Sequence, residues 1–318
     1  EGQEILYKLV ENSDVFVTNL RMYERENFRV TYEILRAINP RLIYGSITGH
    51  GPKGPDRDMP AYDHTAAWYR SGIQYSLSIP GAPCIGFRPG FIDTAAGMSL
   101  FAGVMMALYV REKTGIGQEI ELSLFNQGIY QLSFDIAAAL ATGTDYKEWA
   151  LSQADENDPL VKRLRQAQAE AEASLDNLFQ VYGELSFNPL AGEYLTKDGR
   201  VIHLNVLQPD RYWARMCQAI GQPDVEHDPR FESFDLRAQN HIALYHIIRE
   251  AFRSKTTEEW KALLKEQNIP FGIQQKPGEV VKDPQARAND YFVPFEHPSY
   301  GRIAVSYTHL TLPTKRIV

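Results

Sequence analysis

Cysteine is scarce in this chain. Cys84 and Cys217 are the two among 318 residues, too few and too far apart for a disulfide framework or a metal site, and they fit a reducing, cytoplasmic setting. Positive charge is also in the minority: 33 Lys and Arg stand against 40 Asp and Glu, for a net charge of −7. With no long basic block to offset that excess, nucleic acid is not an expected partner. The opening residues lack the basic, apolar, small-residue progression of a signal peptide. The uncharged run 94–110 approaches membrane length, but its glycines, Ser99 and the adjoining Asp93 favour a buried core helix over a span, so no membrane partner is expected either. G-x-S-x-G is absent, Cys84 follows Ala-Pro with no visible His partner, and the histidines show no paired metal spacing. These gaps argue against serine and cysteine nucleophiles and leave no metal ligands to assign.

What is present is an ordinary globular composition, 44% hydrophobic and 23% charged, long enough for one large or two moderate domains whose core needs no staples. Ile5, Leu6, Leu9 and Val10 form a helical stripe, and 14–18 is a short β-branched apolar run. The helical stripe returns over 30–38 and stops at Asn39-Pro40, after which 42–48 is again a strand. Strands alternating with helices of this length predict an α/β fold, a Rossmann-like large domain with a parallel sheet covered on both faces. Glu, Gln, Ala, Lys and Arg dominate from Asp155 to about Gln180, which predicts a solvated surface helix inserted in that domain. Two strand runs then flank Asp198-Gly199, a hairpin signal. Helical patterns follow over 209–220 and 239–252, a third lies behind a Thr256/Glu259 capping box, and 269–273 reads as a strand. The organisation this predicts is a large domain over 1–193, a smaller α+β domain over 194–294 and a return to the large domain over 295–305.

The stretch 86–128 organises the rest. It reads as a loop ending in Asp93, a helix over about 94–109 that is apolar or Gly apart from Thr94 and Ser99, a Gly turn, a strand over 119–124 and a second helix. A helix with no polar face is expected to be buried on all sides. From the residues alone, Asp93 reads as the N-cap of that helix, where the dipole favours a negative charge, or as a carboxylate placed there for chemistry. Tyr62 and Asp63 open a short helical pattern and read as a packing ring and a cap. Gly49-His50-Gly51-Pro52-Lys53-Gly54 matches G-x-G-x-x-G, yet Pro52 and Pro55 keep the loop from opening straight into a helix, so a turn is expected rather than a dinucleotide site. Asn19, Leu20 and Arg21, with Arg25 and Arg29 beyond, follow the carboxyl end of the first strand, where parallel sheets bind ligands.

The order Asp93-x-x-x-Gly97, an apolar helix, Arg111-Glu112-Lys113-Thr114-Gly115-x-Gly117-Gln118 and a strand with Ser123-Leu124 resembles the family III CoA-transferases, the CaiB–BaiF family. Asn39-Pro40-Arg41-Leu42, Tyr62-Asp63 with Ser71-Gly72 beyond, Lys197-Asp198-Gly199, Asp228-Pro229-Arg230-Phe231, Ile269-Pro270 and Asp283-Pro284-Gln285 follow in the same family order. The resemblance implies an interlocked homodimer with a strand and Gly-containing loop ahead of Glu1. Residues 306–318 fit no continuation of the family and read as a non-native tail.

For chemistry, the resemblance implies transfer of coenzyme A between an acyl-CoA donor and a carboxylic acid acceptor. The CoA thioester is then substrate, and no tightly bound cofactor is expected. Asp93 would be the nucleophile, passing through an aspartyl anhydride and thioester, with Asn19, Leu20, Arg21, Tyr62 and Asp63 at the CoA. A Gly-bearing loop and helix N-terminus beside Asp93 would supply N–H donors to an oxyanion. The chain departs from the family after Arg21, where Met22-Tyr23 replaces Pro-Gly and Asn27 stands at a commonly basic position. An acyl-CoA racemase is the alternative within the family, although that branch has a His where Tyr62 stands. A non-catalytic scaffold is the alternative outside it. No Gly-rich run resembles the mobile loop of formyl-CoA transferase, which points to aryl, 2-hydroxyacyl or other larger acids rather than oxalate and formate.

Overall fold

A computed structural model of the chain describes residues 1–77, 88–145, 186–297 and 301–306, with scattered positions between 149 and 184. Cys84, the tail from 307 onward and most of the surface helix expected over 155–180 lie outside the described residues. The first half runs α1 (Gly2–Glu11), β1 (Val15–Thr18), α2 (Met22–Asn27), α3 (Tyr32–Ile38), β2 (Ile43–Thr48), a π-helix (Asp63–Tyr69), α4 (Ile73–Leu77), α5 (Phe91–Thr114), β3 (Glu119–Ser123), α6 (Leu124–Gln131) and α7 (Ser133–Thr142). β1, β2 and β3 pair in that order and all in parallel, with Val15 opposite Ile43 and Tyr44 opposite Glu119.

The two-residue period of β2 sorts its side chains between two cores. Tyr44 joins Leu42, Val10, Val30 and Leu35 beneath α1 and α3. Ile43 joins Ile120 and Leu122 of β3 and Leu100 and Ala107 of α5. Full burial of each large aliphatic side chain contributes about 1.5–3 kcal/mol, so the sheet is held from both faces. Asn39 adds a polar tie, its Nδ2 donating to the carbonyls of Val10 (3.0 Å) and Ser13 (2.9 Å). Arg111, at the far end of α5, donates to Asp14 Oδ1 (2.8 Å) and to the Arg41 carbonyl (3.2 Å), and so fixes that helix to the start of β1.

α5 departs from expectation in two ways. It starts before Asp93 and runs on to Thr114. Its inner stripe of Ile92, Ala96, Leu100 and Ala107 is buried, while Met98, Phe101, Met105 and Tyr109 are exposed. Burial on all sides is therefore not met within one chain, because the sheet covers one face of the helix and no other described element covers the opposite one. α5 is also long and apolar enough to cross a membrane, but here its inner stripe packs on β2 and β3.

The second half holds an antiparallel sheet of β4 (Glu193–Leu195), β5 (Val201–Leu204) and β6 (Phe271–Ile273). Around it lie α8 (Pro209–Ala219), a 3-10 turn (Pro223–His227), α9 (Phe234–Gln239), α10 (His241–Arg253) and α11 (Thr257–Glu266). The hairpin turn uses Asp198-Gly199, and the Asp198 carboxylate also accepts from Thr257 N at 2.9 Å, so the turn helps to start α11. The capping box is present: Glu259 accepts from Thr256 N (2.7 Å) and Thr256 Oγ1 accepts from Glu259 N (3.4 Å). Phe252 and Trp260 stack with centroids 4.3 Å apart in a core shared with Trp213, Met216 and Cys217. The chain closes through α12 (Pro277–Val280), α13 (Pro284–Ala288) and a hairpin of β7 (Phe292–His297) and β8 (Gly301–Ser306) that packs on α7.

The halves meet at Arg70. Its guanidinium reaches Asp56 (2.8 Å) and takes both oxygens of Asp283 (3.0 Å each), while Lys265 of α11 bonds Asp56 from the other side. Gln285 extends the join, donating to the carbonyls of His50 (2.9 Å) and Lys53 (2.7 Å), with Asn289 and Tyr291 on the same two carbonyls. This clasp explains the G-x-G-x-x-G match. Gly51 has φ +98°, and a Cβ there would stand 2.4 Å from Tyr291 Oη and 2.5 Å from Asn289 Oδ1. Gly51 and Gly54 make room for side chains of the returning chain and Gly49 for Ala61, and the segment is a turn, as expected.

Burial alone would raise the Asp56 carboxyl, but Arg70 and Lys265 overcome it and hold it at about 2. Asp283 is likewise held below its ordinary value against burial by Arg70. Both carboxylates thus add stability that is complete above 3.8 and is lost as pH falls through the folded value, about 2 for Asp56. His50 behaves oppositely to a paired His: burial, then Arg70, push it down to about 3 from 6.5, so the unfolded chain takes up its proton first and stability declines as pH falls below 6.5. The change in urea midpoint from pH 7 to pH 5 should be less destabilising in His50→Gln than in the wild type, and the same change in both would contradict the burial of neutral His50. Arg70→Met should cost about 3–5 kcal/mol in the same assay, because it strands Asp283 in the interior.

Candidate active site

The π-helix is the local departure that builds the site. Thr65 Oγ1 accepts from Tyr62 N (2.9 Å) and donates to the Tyr62 carbonyl (3.1 Å), fixing the entry so that Asp63 turns inward and is buried. Single π turns of this kind recur where a side chain must be re-aimed. Asp63 Oδ2 accepts from Gly90 N (2.9 Å), Phe91 N (3.2 Å) and Trp68 Nε1 (3.2 Å), and Oδ1 accepts from Ile92 N (3.0 Å). Three of these donors are the orphan amides that open α5. Gly90 is the residue before the helix and takes φ +88°, a left-handed conformation that favours Gly.

Asp93 is the third residue of α5, not its cap. The helix starts earlier than the sequence suggests because Asp63, thirty positions away, satisfies its first amides. This also corrects the expected oxyanion donors: the amides of Gly90, Phe91 and Ile92 are already bound to a carboxylate. The Asp93 side chain is exposed. Its carboxyl lies above the ordinary value of 3.8, first because part of it is packed into protein and second because the Asp63 charge repels its own. The exposure screens that repulsion, so the direction is what matters here. A Cβ on Gly90 would sit 4.0 Å from Asp93 Oδ2, so the missing side chain leaves space directly beside the carboxylate. Phe91 and Trp68, with centroids 5.8 Å apart, form an apolar flank.

Asn19 is exposed at the end of β1, and Leu20 N donates to Thr18 Oγ1 at 3.2 Å. Arg21 opens α2 with its guanidinium on Glu24 (3.0 Å), and that hydrogen bond raises its pKa. Arg21 and Tyr62 both lie within electrostatic reach of Tyr212 in α8, and Tyr62 also feels Arg211. Arg21 and Tyr62 thus share an electrostatic neighbour on α8, and Tyr62 directly precedes Asp63. Nothing in the local sequence around Arg211 and Tyr212 marks this approach. Arg25 is buried, donating to the Leu20 carbonyl (2.8 Å) and lying 3.8 Å from Glu121, so it supports the loop from inside.

Residues 1–159 and 167–316 match the family model described as CoA-transferase family III. The chain belongs to that family. Among curated relatives, it is 32% identical over 92% of its length to an (R)-2-hydroxy-4-methylpentanoate CoA-transferase of Clostridioides difficile, covering 64% of that protein. It is 29% identical over 94% of its length to a cinnamoyl-CoA:phenyllactate CoA-transferase of Clostridium sporogenes, covering 65% of it. The chain therefore spans a little under two thirds of these relatives. A crystal structure of a CAIB/BAIF family protein from Brucella suis aligns over 96% of this chain and 75% of that one, at 22% identity and a TM-score of 0.42.

Gly90→Ala tests the turn that leads into Asp93. The left-handed φ should cost about 1–2 kcal/mol, seen as a lower melting temperature. An unchanged melting temperature would show that the turn tolerates a side chain and that Gly90 is not needed there for its conformation.

Proposed function

We propose that the chain carries the catalytic centre of a cytoplasmic CoA-transferase, moving coenzyme A between an acyl-CoA and a carboxylic acid with Asp93 as nucleophile. The observation that carries this reading is Asp93 itself, an exposed carboxylate on the first turn of α5 beside a Gly-sized space, in a chain of CoA-transferase family III. In the first step a carboxylate oxygen of Asp93 bonds the thioester carbonyl carbon, the C–S bond breaks and the electron pair leaves on the CoA sulfur, giving a mixed anhydride. The thiolate then attacks the Asp93 carbonyl, releasing the donor acid and leaving an aspartyl-CoA thioester. The acceptor carboxylate repeats the sequence in reverse order and departs as the new acyl-CoA. No proton transfer is needed in these steps.

Arg21, Tyr62 and the α8 residues Tyr212 and Arg211 would face the CoA, with the cationic groups toward phosphate. The acids are 2-hydroxyacyl or aryl in kind, a choice supported by the names of the two clostridial relatives. A homodimer is supported by the outer face of α5, where Met98, Phe101, Met105 and Tyr109 form an exposed apolar row.

Intact-mass measurement after mixing with 2-hydroxyacyl- and aryl-CoAs should show a hydroxylamine-labile adduct that Asp93→Asn lacks. Its rate of formation should rise with pH through a value above 3.8, because the raised carboxyl must first ionise. An adduct that persists in Asp93→Asn would remove the nucleophile assignment.

A further inference from the structure

We propose that Asp63 is the positioning residue for Asp93, its buried carboxylate fixing the nucleophile's turn from behind and adding a second carboxylate to that turn. This rests on the reading of Asp93 as nucleophile. Asp63 is 3% exposed, and its four donors lie within 3.2 Å. It touches no group that a substrate on Asp93 would present. Its hold is on the three peptide units immediately before Asp93, and Oδ1 takes Ile92 N, the neighbour of the nucleophile. With those amides fixed, the Asp93 side chain can swing only about its own bonds, which narrows the arc from which an acyl carbon can be attacked.

The charge has its own effect. Two carboxylates flank Gly90, one bonded to its N–H and the other beside the space where its side chain would be. Acylation turns Asp93 from an anion into a neutral anhydride, so the repulsion from Asp63 disappears in that step. A repulsion present in the ground state and relieved along the step favours the step. A Ser oxygen, or the single acceptor oxygen of an Asn, could not take all four donors that the two Asp63 oxygens hold.

Among the described residues the titratable neighbours are few. His64 follows Asp63 on the π-helix, near Trp68 and His203, Arg88 precedes the Gly90 turn, and α6, which packs on α5, has no charged residue between Leu124 and Gln131. Of these groups, Asp63 is the one that acts on Asp93.

The test is the rate of adduct formation against pH, at saturating acyl-CoA, for wild type, Asp63→Asn, Asp63→Glu and Asp93→Asn. Asp63→Asn should slow acylation about 10- to 100-fold, leave half-saturation nearly unchanged and move the acid limb to lower pH. Asp63→Glu restores the charge and should bring the limb back to the wild-type position, whatever its rate. A slower Asp63→Asn with an unmoved limb would reduce Asp63 to a structural cap, and a wild-type rate would overturn the proposal outright. Should Asp63→Asn fail to fold, carboxyl carbon NMR of the wild type decides: Asp63 ionised throughout the range in which Asp93 titrates supports the proposal, and Asp63 protonated there overturns it. Loss of the adduct in Asp93→Asn keeps the underlying reading separate, since its persistence would sink the nucleophile while the Asp63 results would still describe the turn.

Discussion

Arg70 is the constraint on which the rest of the molecule hangs. One guanidinium satisfies Asp56 from the loop after β2 and Asp283 from the returning chain, and Lys265 reaches Asp56 from α11. Arg70 directly follows the π-helix, whose first residue, Asp63, holds the start of α5. A span of eight residues, from 63 to 70, therefore joins the amino end of the central helix to the antiparallel half of the chain. Gln275 N donates to the Tyr69 carbonyl at 3.0 Å and Gln275 Nε2 to Asp283 at 2.8 Å, so the strand β6 leads straight into the same junction.

Much of this was legible in the residues. The β1 and β2 runs, the capping box at Thr256, the Asp198-Gly199 turn and the apolar helix after Asp93 all follow from local pattern, because each depends on neighbours within a few positions. The identity of the nucleophile candidate came from the order of short motifs across the chain and not from any one of them. What could not be read was long-range. The cap of α5 comes from Asp63, so a local rule assigned that role to Asp93 and began the helix too late. The same contact removed the amides on which an oxyanion site had been drawn. The proximity of Tyr212 and Arg211 to Arg21 and Tyr62 likewise depends on how the two halves dock.

The outer row of α5 was misjudged for a different reason. A helix without a polar face was expected to be surrounded, and within the single chain the sheet surrounds only half of it. Apolar composition specifies that a surface should leave water, and says nothing about whether the cover comes from the same chain. Met98, Phe101, Met105 and Tyr109 lie on the helix whose first turn carries Asp93. Whatever covers that row also limits how far the turn can shift.

The turn from Gly49 to Gly54 carries a broader consequence. A string of glycines at fixed spacing encodes clearance, and clearance is indifferent to its occupant: a phosphate in one protein, the ends of Gln285, Asn289 and Tyr291 in this one. Here the occupant is met by carbonyls of His50 and Lys53 and by the amides of Lys53 and Asp56, which donate to Asn289 Oδ1 (3.0 Å) and Gln285 Oε1 (2.8 Å). The letters match a nucleotide fingerprint, but the loop offers acceptors and donors together, the complement of a side-chain amide, and it is this pattern, invisible in the glycines themselves, that decides what such a loop can hold.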